Sequence, residues 1–491
     1  MIVLHCIQYT IFRENIQPIT CLSFRVLSTK PPSPALCYEQ LSKNSENIRN
    51  PIPFCCKIKL PNKNPTKQKR RRFLMTYSTT NTYTMKREIL NFSNKISNTL
   101  PKPDKKFTAD MTYGILASGS CLLTDISDSL YETSKKVNTV ERLSLHLKNG
   151  ISPIAEHSYR SLIRKWIPEN PVIHIDDSDV IKPDGYKFES LGTVRDGSKS
   201  SSSKSVNQKG YLVTEACVLT SNNHPVSFYS HIHSSKEKNF KSTNTFTFEA
   251  MEIGSVLFEN ATFVMDRGYD DNKMFLKLDQ LKQDYVIRIT ANRKLYYQNK
   301  WFKSTELRNR RKGKIKLPLF YRGKEHDAYL SHVKVQITAS KKDVYLILIY
   351  GITEHPMMLV TNKKILSKKD VIRVANLYFS RWRIEEYFRS KKQLFQFENF
   401  RVRKLAAINA LNFYITLSMA FLASISMKAA SNDLKATIIQ KANPIKQKVL
   451  FQYYRIAKGI SAILSYAKEG IARWFKTKRP AYRQLCLCLI S

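Results

Sequence analysis

The chain of 491 residues is long enough for two to four domains, and its 42% hydrophobic content excludes a wholly disordered protein. It carries 81 Lys and Arg residues against 39 Asp and Glu, and the net charge of +42 predicts a polyanionic partner, of which nucleic acid is the commonest large example. Nine cysteines without a C-x-x-C pair exclude a zinc ribbon and favour a reducing cytoplasm.

Residues 1–84 predict a poorly structured leader. They hold many of the prolines, the basic run "KQKRRR" and a tail rich in Ser, Thr and Asn, without sustained periodicity. Met85 is a second candidate for the true start, in which case the leader is not translated. The basic run has the composition of a nucleic-acid arm or a localisation patch, but a solvated tail is favoured.

The pattern becomes helical over residues 85–165. In "KKVNTVERLSLHLKN", Asn138 is a candidate N-cap with Glu141 at capping-box spacing, and Leu143 and Leu147 follow on one face. Two interpretations remain open for this basic helical module. It is either a DNA-end-binding unit or a set of ordinarily packed helices.

Strands dominate from residue 166 to residue 367. Within 166–272, "PVIHID", "GYLVTEACVL", "HPVSFYSHIHS" and "ATFVMD" each predict a β-strand. Residues 273–367 add more strand-like runs and are interpreted as a β-rich insertion. His231 and His233 share one strand face and are interpreted as exposed residues rather than metal ligands.

Helices return in 368–430 and in 431–491, the second of which is a candidate dimerisation region. The run Leu405–Met427 is long enough to cross a membrane, but its Asn and Ser residues favour a buried core helix. The alternation of elements predicts a mixed α/β fold.

Two predicted strands end in an acid, Asp176 in "PVIHIDDSD" and Asp266 in "ATFVMDRGYDD". Acids at the carboxyl ends of strands lie where ligands bind in α/β sheets, although Asp also closes strands as a simple turn former. A third acid comes from the basic segment "YFSRWRIEEYFRSKKQ". Treated as one helix at about 100° per residue, this segment places Glu386 towards solvent and four residues on one stripe, namely Tyr378, Arg381, Glu385 and Lys392.

Carboxylates that converge from two strands and a helix can bind two divalent ions for phosphodiester displacement. Mg²⁺ prefers such oxygen ligands, and Arg381 and Lys392 beside them suit DNA phosphates.

The spacing Y-x2-R-x3-E-x6-K at Tyr378, Arg381, Glu385 and Lys392 resembles the signature of DDE-type bacterial insertion-sequence transposases. "IDDSD" and "VMDRGYD" resemble the two Asp motifs of that group. The resemblance implies a ribonuclease H-like core interrupted by a β-rich insertion. It also implies two Mg²⁺ ions, with Mn²⁺ as a substitute, held by Asp176, Asp266 and Glu385; Asp177 remains an alternative first ligand. The implied DNA contacts are Tyr378, Arg381, Lys392 and Trp382.

The implied reaction is cleavage at terminal inverted repeats and joining of the 3′-hydroxyls to target double-stranded DNA, by a homodimer in the bacterial nucleoid. Two alternatives remain: a decayed transposase relic that only binds DNA, and a ribonuclease H-fold nuclease without strand transfer.

Overall fold

The computed structural model describes residues 67–201, 204–321, 324–339, 341–442, 444 and 449–476. Residues 1–66 of the predicted leader and residues 477–491 of the predicted C-terminal region lie outside the described residues.

Five helices open the described part of the chain. Helix α1 begins inside the predicted leader, so the expected boundary at residue 84 falls within it. Helix α4 begins at Lys136, and the Lys135 carbonyl accepts the backbone N–H groups of Asn138 and Thr139. Asn138 therefore lies in the first turn, and its prediction as N-cap was wrong. The helices are α1 (Lys67–Ser97), α2 (Lys102–Ser118), α3 (Leu123–Leu130), α4 (Lys136–Lys148) and α5 (Pro153–Arg164).

The central sheet begins with three antiparallel strands in the spatial order β4–β3–β1, and β5 and β6 follow parallel to β1. This order, with a helix before β5 and another before β6, is the ribonuclease H-like arrangement expected from the sequence. The elements are β1 (Val172–Ile181), β2 (Gly192–Arg195), β3 (Asn207–Leu219), β4 (Pro225–His233), α6 (Thr243–Leu257), β5 (Thr262–Met265), α7 (Asn272–Gln280) and β6 (Asp284–Arg288).

The region predicted as a β-rich insertion continues the same sheet rather than forming a separate one. Strand β12 pairs antiparallel with β6, and β11, β10, β7 and β8 follow outward, with β9 on β10. The elements are β7 (Lys294–Tyr297), β8 (Lys300–Lys303), α8 (Ser304–Asn309), β9 (Ile315–Tyr321), β10 (Lys324–Ile337), β11 (Asp343–Tyr350) and β12 (Met357–Thr361).

The last helices enclose the sheet. They are α9 (Lys368–Phe379), α10 (Trp382–Phe395), α11 (Leu405–Met427), α12 (Asp433–Lys441), α13 (Tyr453–Leu464) and α14 (Ala472–Lys476). Helix α11 is long and apolar enough to cross a membrane, yet 83% of its most apolar window is buried inside the protein. It is therefore the core helix that the sequence favoured.

The polar residues of α11 protect the edge of the sheet. Strand β4 has only β3 as a neighbour, so its outer backbone groups need other partners. The Asn409 side chain accepts the Ile232 backbone N–H at 2.8 Å and donates to the Ile232 carbonyl at 2.9 Å. One amide group thereby satisfies both backbone groups of Ile232, as a neighbouring strand would.

Neither of the two strand histidines is exposed, contrary to the prediction, since His231 is half-buried. His233 is buried, and both rings stack on Phe246 of α6, with centroid distances of 4.9 Å for His231 and 4.1 Å for His233. Burial lowers the pKa of His233 to about 4, so this imidazole is neutral at pH 7. The strand alternation was read correctly, but the covering helix could not be inferred from the strand itself.

Candidate active site

The register of the parallel strands brings three polar residues side by side. They are Asp176 and Asp266, which were predicted for the site, and Arg288, which was not. Val172 to His174 of β1 pair with Thr262 to Val264 of β5, and Thr262 to Met265 of β5 pair with Asp284 to Ile287 of β6. The same offsets, continued along β1 and to the ends of β5 and β6, bring Asp176 level with Asp266, which directly follows β5, and Asp266 level with Arg288. Neighbouring strands lie about 4.8 Å apart, so the three residues occupy neighbouring positions at one edge of the sheet.

The glutamate comes from a helix that the sequence analysis described incorrectly. The segment Tyr378–Gln393 is not one helix, because α9 ends at Phe379 and α10 begins at Trp382. Backbone N–H groups of Arg381, Arg383 and Ile384 each bond three residues back, which tightens the chain between the two helices. A single helical wheel does not describe a chain with this break.

Ser380 fixes this break against the sheet. Its hydroxyl donates to the Leu377 carbonyl at 2.6 Å, and the same oxygen lies 2.9 Å from Nε2 of His174 on β1. Burial lowers the pKa of His174 to about 3, aided by the nearby Arg381 and Arg383. The neutral imidazole thus joins strand β1 to the start of the glutamate-bearing helix.

Arg381 joins the first acid to the third. Its Nη1 lies 3.2 Å from Oδ2 of Asp176, and its Nη2 donates to Oε1 of Glu385, one helical turn ahead. The two carboxylates are therefore no further apart than one guanidinium group and two hydrogen bonds. Arg381 and Asp176 are largely buried, whereas Glu385 is 51% exposed.

Burial governs the charge of Asp176. Desolvation has the largest effect, the Arg381 guanidinium opposes it, and Asp266 and Asp177 add to it, so that the pKa of the carboxyl is raised to about 7. Without a bound cation other than Arg381, this group therefore titrates near neutral pH. An added positive charge would stabilise the ionised form of this carboxyl group.

Asp177 has a different environment. Its Oδ1 accepts the Thr214 hydroxyl at 2.5 Å, and Thr214 in turn lies 2.9 Å from Nε2 of His233. Because successive strand residues face opposite sides of a sheet, Asp177 points away from Asp176 and from Arg381. Burial also raises the pKa of the Asp177 carboxyl, while the Thr214 hydrogen bond opposes that rise.

The other signature residues surround this edge at different depths. Tyr378 is buried, which raises the pKa of its phenol, and the adjacent Arg288 and Arg381 guanidinium groups act against that rise. Lys392 lies farther along α10, where Nζ donates to the Asp179 carbonyl at 2.8 Å and pairs with Glu398 at 3.0 Å. Trp382 is partly buried beneath the Arg383 guanidinium, 4.3 Å from the centre of its ring.

The neighbouring glutamate does not face solvent as predicted. Glu386 is 19% exposed and pairs with Arg389 at 2.6 Å, so it is less exposed than Glu385. The interruption between α9 and α10 turns α10 relative to the single helix that was predicted, which accounts for the difference.

No group of three or more His, Cys, Asp or Glu side chains within the described residues is spaced to hold a metal ion. The donors nevertheless suit a hard divalent cation, since Asp176, Asp266 and Glu385 offer only carboxylate oxygens. The guanidinium of Arg381 shows directly that two of these carboxylates attract one cation between them. A metal ion held by both carboxylates would require Arg381 to move.

A comparison with protein families places part of this site in a known domain. The family model described as "Transposase DDE domain" matches residues 183–421, just under half of the chain. The chain carries a transposase DDE domain. The match includes Asp266 and Glu385 and begins after Asp176. It confirms the resemblance to DDE-type insertion-sequence transposases and the ribonuclease H-like core of this transposase domain. A search of curated proteins found no match.

Arg288 was not among the residues predicted for the site. "YVIRITAN" was predicted as a strand, and Arg288 is the last residue of that strand. Asp266 directly follows β5, whereas Asp176 lies in the middle of β1, which continues to Ile181, so the prediction that a strand ends at Asp176 was wrong. A strand-end criterion that included bases as well as acids would have found Arg288.

Proposed function

We propose that this protein is a DNA transposase that cleaves insertion-sequence ends and joins the freed 3′-hydroxyls to target DNA. The observation that carries the proposal is the alignment of Asp176 and Asp266 on adjacent parallel strands, with Glu385 linked to Asp176 by Arg381. A transposase DDE domain supports the reaction class.

Asp176, Asp266 and Glu385 are the residues that would hold two Mg²⁺ ions, with Mn²⁺ as a substitute. When bound, such ions activate an attacking oxygen and stabilise a leaving oxygen in phosphodiester transfer. Asp176 is preferred over Asp177 as the first ligand, because the Asp177 carboxylate already accepts a hydroxyl on the other side of the sheet.

The cationic residues around the acids would hold the DNA phosphates. Arg381, released from the two carboxylates, and Arg288 can each present two donors to a phosphate. Lys392 would add a point charge farther along the helix, and Tyr378 and Trp382 would contact the DNA end beside it. Double-stranded DNA is thus the proposed partner, bound by a homodimer in the nucleoid.

The decisive experiment is cleavage of a duplex that carries the DNA flanking the coding sequence, with purified protein and Mg²⁺. Glu385→Gln should lower cleavage by about two to three orders of magnitude. The substitution removes one of the three carboxylates that would hold the metal ions. Glu386→Gln is the matched control and should cleave like the unmodified protein. Undiminished cleavage by Glu385→Gln would remove this residue from the site.

The products distinguish the proposal from its two alternatives. Joining of the labelled end to a target plasmid indicates a transposase, whereas cleaved ends without joined products indicate a nuclease. Binding of the end without any cleavage indicates a relic.

A further inference from the structure

A second concave site lies outside the acidic edge. A cleft of about 320 Å³ opens between the helices α3 and α4 and the segment 401–404 that leads into α11. Its volume is at the lower end of the range of small-molecule pockets, about 300–1,000 Å³, so one nucleotide-sized ligand can enter. The apolar side chains that line it are Leu122, Leu123, Val140, Val402 and Ala407.

The rim of the cleft is cationic. Lys148, Arg401 and Arg403 are exposed, and within the described residues their side chains have neither an ion-pair nor a hydrogen-bond partner. Lys404 has one distant partner, Glu189, at 3.5 Å. None of the described lining residues is acidic. Because like charges repel each other, three cations without a partner, beside a fourth that pairs with Glu189, favour an anionic ligand.

The combination of an apolar floor and a cationic rim narrows the class of ligand. The phosphates of an intact duplex would reach the rim but would leave the apolar floor unfilled. A nucleotide that has left the base stack can fill both parts, with its base against the aliphatic side chains and its phosphates on the rim.

The cleft lies within reach of Lys392, a proposed DNA contact. Glu398 pairs with Lys392 of α10, and the rim segment begins three residues after Glu398. The nine residues from Lys392 to Arg401 span at most about 30 Å, which is less than one helical turn of duplex DNA, about 34 Å. A single DNA end can therefore contact both Lys392 and the rim.

We propose that this cleft binds an unpaired nucleotide of a DNA strand, with the base on the floor and the flanking phosphates on Arg401, Arg403 and Lys148. The inference rests on the proposed function, since that function supplies the DNA. It adds a binding site for unpaired DNA to the proposed DNA contact at Lys392.

The test measures binding without cleavage. The full chain in EDTA is titrated against a fluorescein-labelled thymidine strand of about 16 nucleotides and against a labelled duplex of equal length, with fluorescence anisotropy as the readout. Val140→Trp fills the floor, and Arg401→Ala with Arg403→Ala removes two charges of the rim. Lys238→Ala with Lys241→Ala is the control, because it removes two exposed charges elsewhere.

Val140→Trp should weaken single-strand binding at least about tenfold, because its bulk excludes the base from the floor, and change duplex binding less than about twofold. The rim variant should weaken single-strand binding more than the control does. Thermal unfolding of each variant establishes that it is folded. The inference is overturned if folded Val140→Trp binds the single strand normally, or if it loses both ligands equally. Such a failure leaves cleavage of the duplex untouched, so the two proposals fail separately.

Discussion

Arg381 pairs with two carboxylates through a single guanidinium group. It contacts Asp176 and Glu385 in a largely buried position, where charge interactions are weakly screened. In the proposed active state these same carboxylates bind metal ions. The arginine and the metal ions therefore compete for one pair of acids, and DNA phosphates offer the arginine another partner.

Arg381→Gln should strengthen metal binding in the absence of DNA. Loss of the competing charge should lower the dissociation constant for Mn²⁺, measured by electron paramagnetic resonance, by about tenfold or more. Arg389→Gln is the control, because Arg389 lies on the same helix and pairs with Glu386 instead. Unchanged or weaker Mn²⁺ binding by Arg381→Gln would contradict the competition.

Asp176 makes the stability of the metal-free protein depend on pH. Its pKa rises from an ordinary 3.8 to about 7 in the folded protein, mainly through burial, so the folded state binds its proton more tightly. The stability that protonation supplies is complete below about pH 4 and is lost as the pH rises to about 7.

Asp176→Asn should consequently stabilise the metal-free protein at about pH 8, by about 2–4 kcal/mol, and much less at about pH 4. Urea unfolding in EDTA at the two pH values measures the difference. Asp177→Asn supplies a comparison, since its carboxylate holds the Thr214 hydrogen bond that the substitution weakens. An equal effect of Asp176→Asn at both pH values would show that the carboxyl is not titrating in this range.

Lys391, next to a signature residue, anchors helix α10 to the sheet. Its Nζ lies 2.9 Å from Oε2 of Glu215 on β3 and 3.0 Å from the Ser230 hydroxyl on β4, and both charged side chains are fully buried. A buried ion pair contributes little net stability, but removal of one partner leaves the other charge unpaired. The pair therefore fixes the position of the helix that carries Glu385.

Lys391→Met should lower the free energy of unfolding by about 3–5 kcal/mol. The double variant with Glu215→Met should recover most of that loss, because two apolar side chains replace the pair. Lys392→Met is the matched control; its partly exposed lysine should cost about 1 kcal/mol. Urea midpoints measure all three, and a double variant no more stable than Lys391→Met would contradict the proposed role.

The order of strands and helices was predictable because each element has a strong local pattern. The strands "GYLVTEACVL" and "ATFVMD" and the apolar helix α11 were all found from composition and alternation. The break between Phe379 and Trp382 was not, since it depends on Ser380 meeting His174 from a strand about 200 residues away. Lys391 was missed for the same reason, because its partners lie on β3 and β4.

The candidate site shows the same division between local and distant information. Asp176, Asp266 and Glu385 were selected from strand ends, helical spacing and a resemblance. The bridge that Arg381 forms, the burial of Asp176 and the position of Arg288 depend on register and packing, which one sequence does not specify. Their roles in catalysis stay predictions, as does the division of the chain into six segments, two of which form one core.

The net charge of +42 belongs to the entire chain and predicts salt-sensitive association with DNA. Each neutralised phosphate releases counterions, so affinity for a duplex should fall by about a thousandfold or more between about 50 and 200 mM salt. Fluorescence anisotropy across this range gives the slope directly. A flat response would mean that the excess charge does not contact the phosphates.

The pairing of β12 with β6 gives Arg288 two structural roles. Arg288 is level with Asp266 on one side and pairs in register with Leu359 on the other, so the outer strands continue directly from the candidate site. Excision of these strands would remove one of the two hydrogen-bonded neighbours of β6, since β5 would remain. It would leave an unpaired strand edge beside the acids. An engineer could not transplant the outer strands as a detachable module, because Arg288 would lose the partner that keeps it aligned.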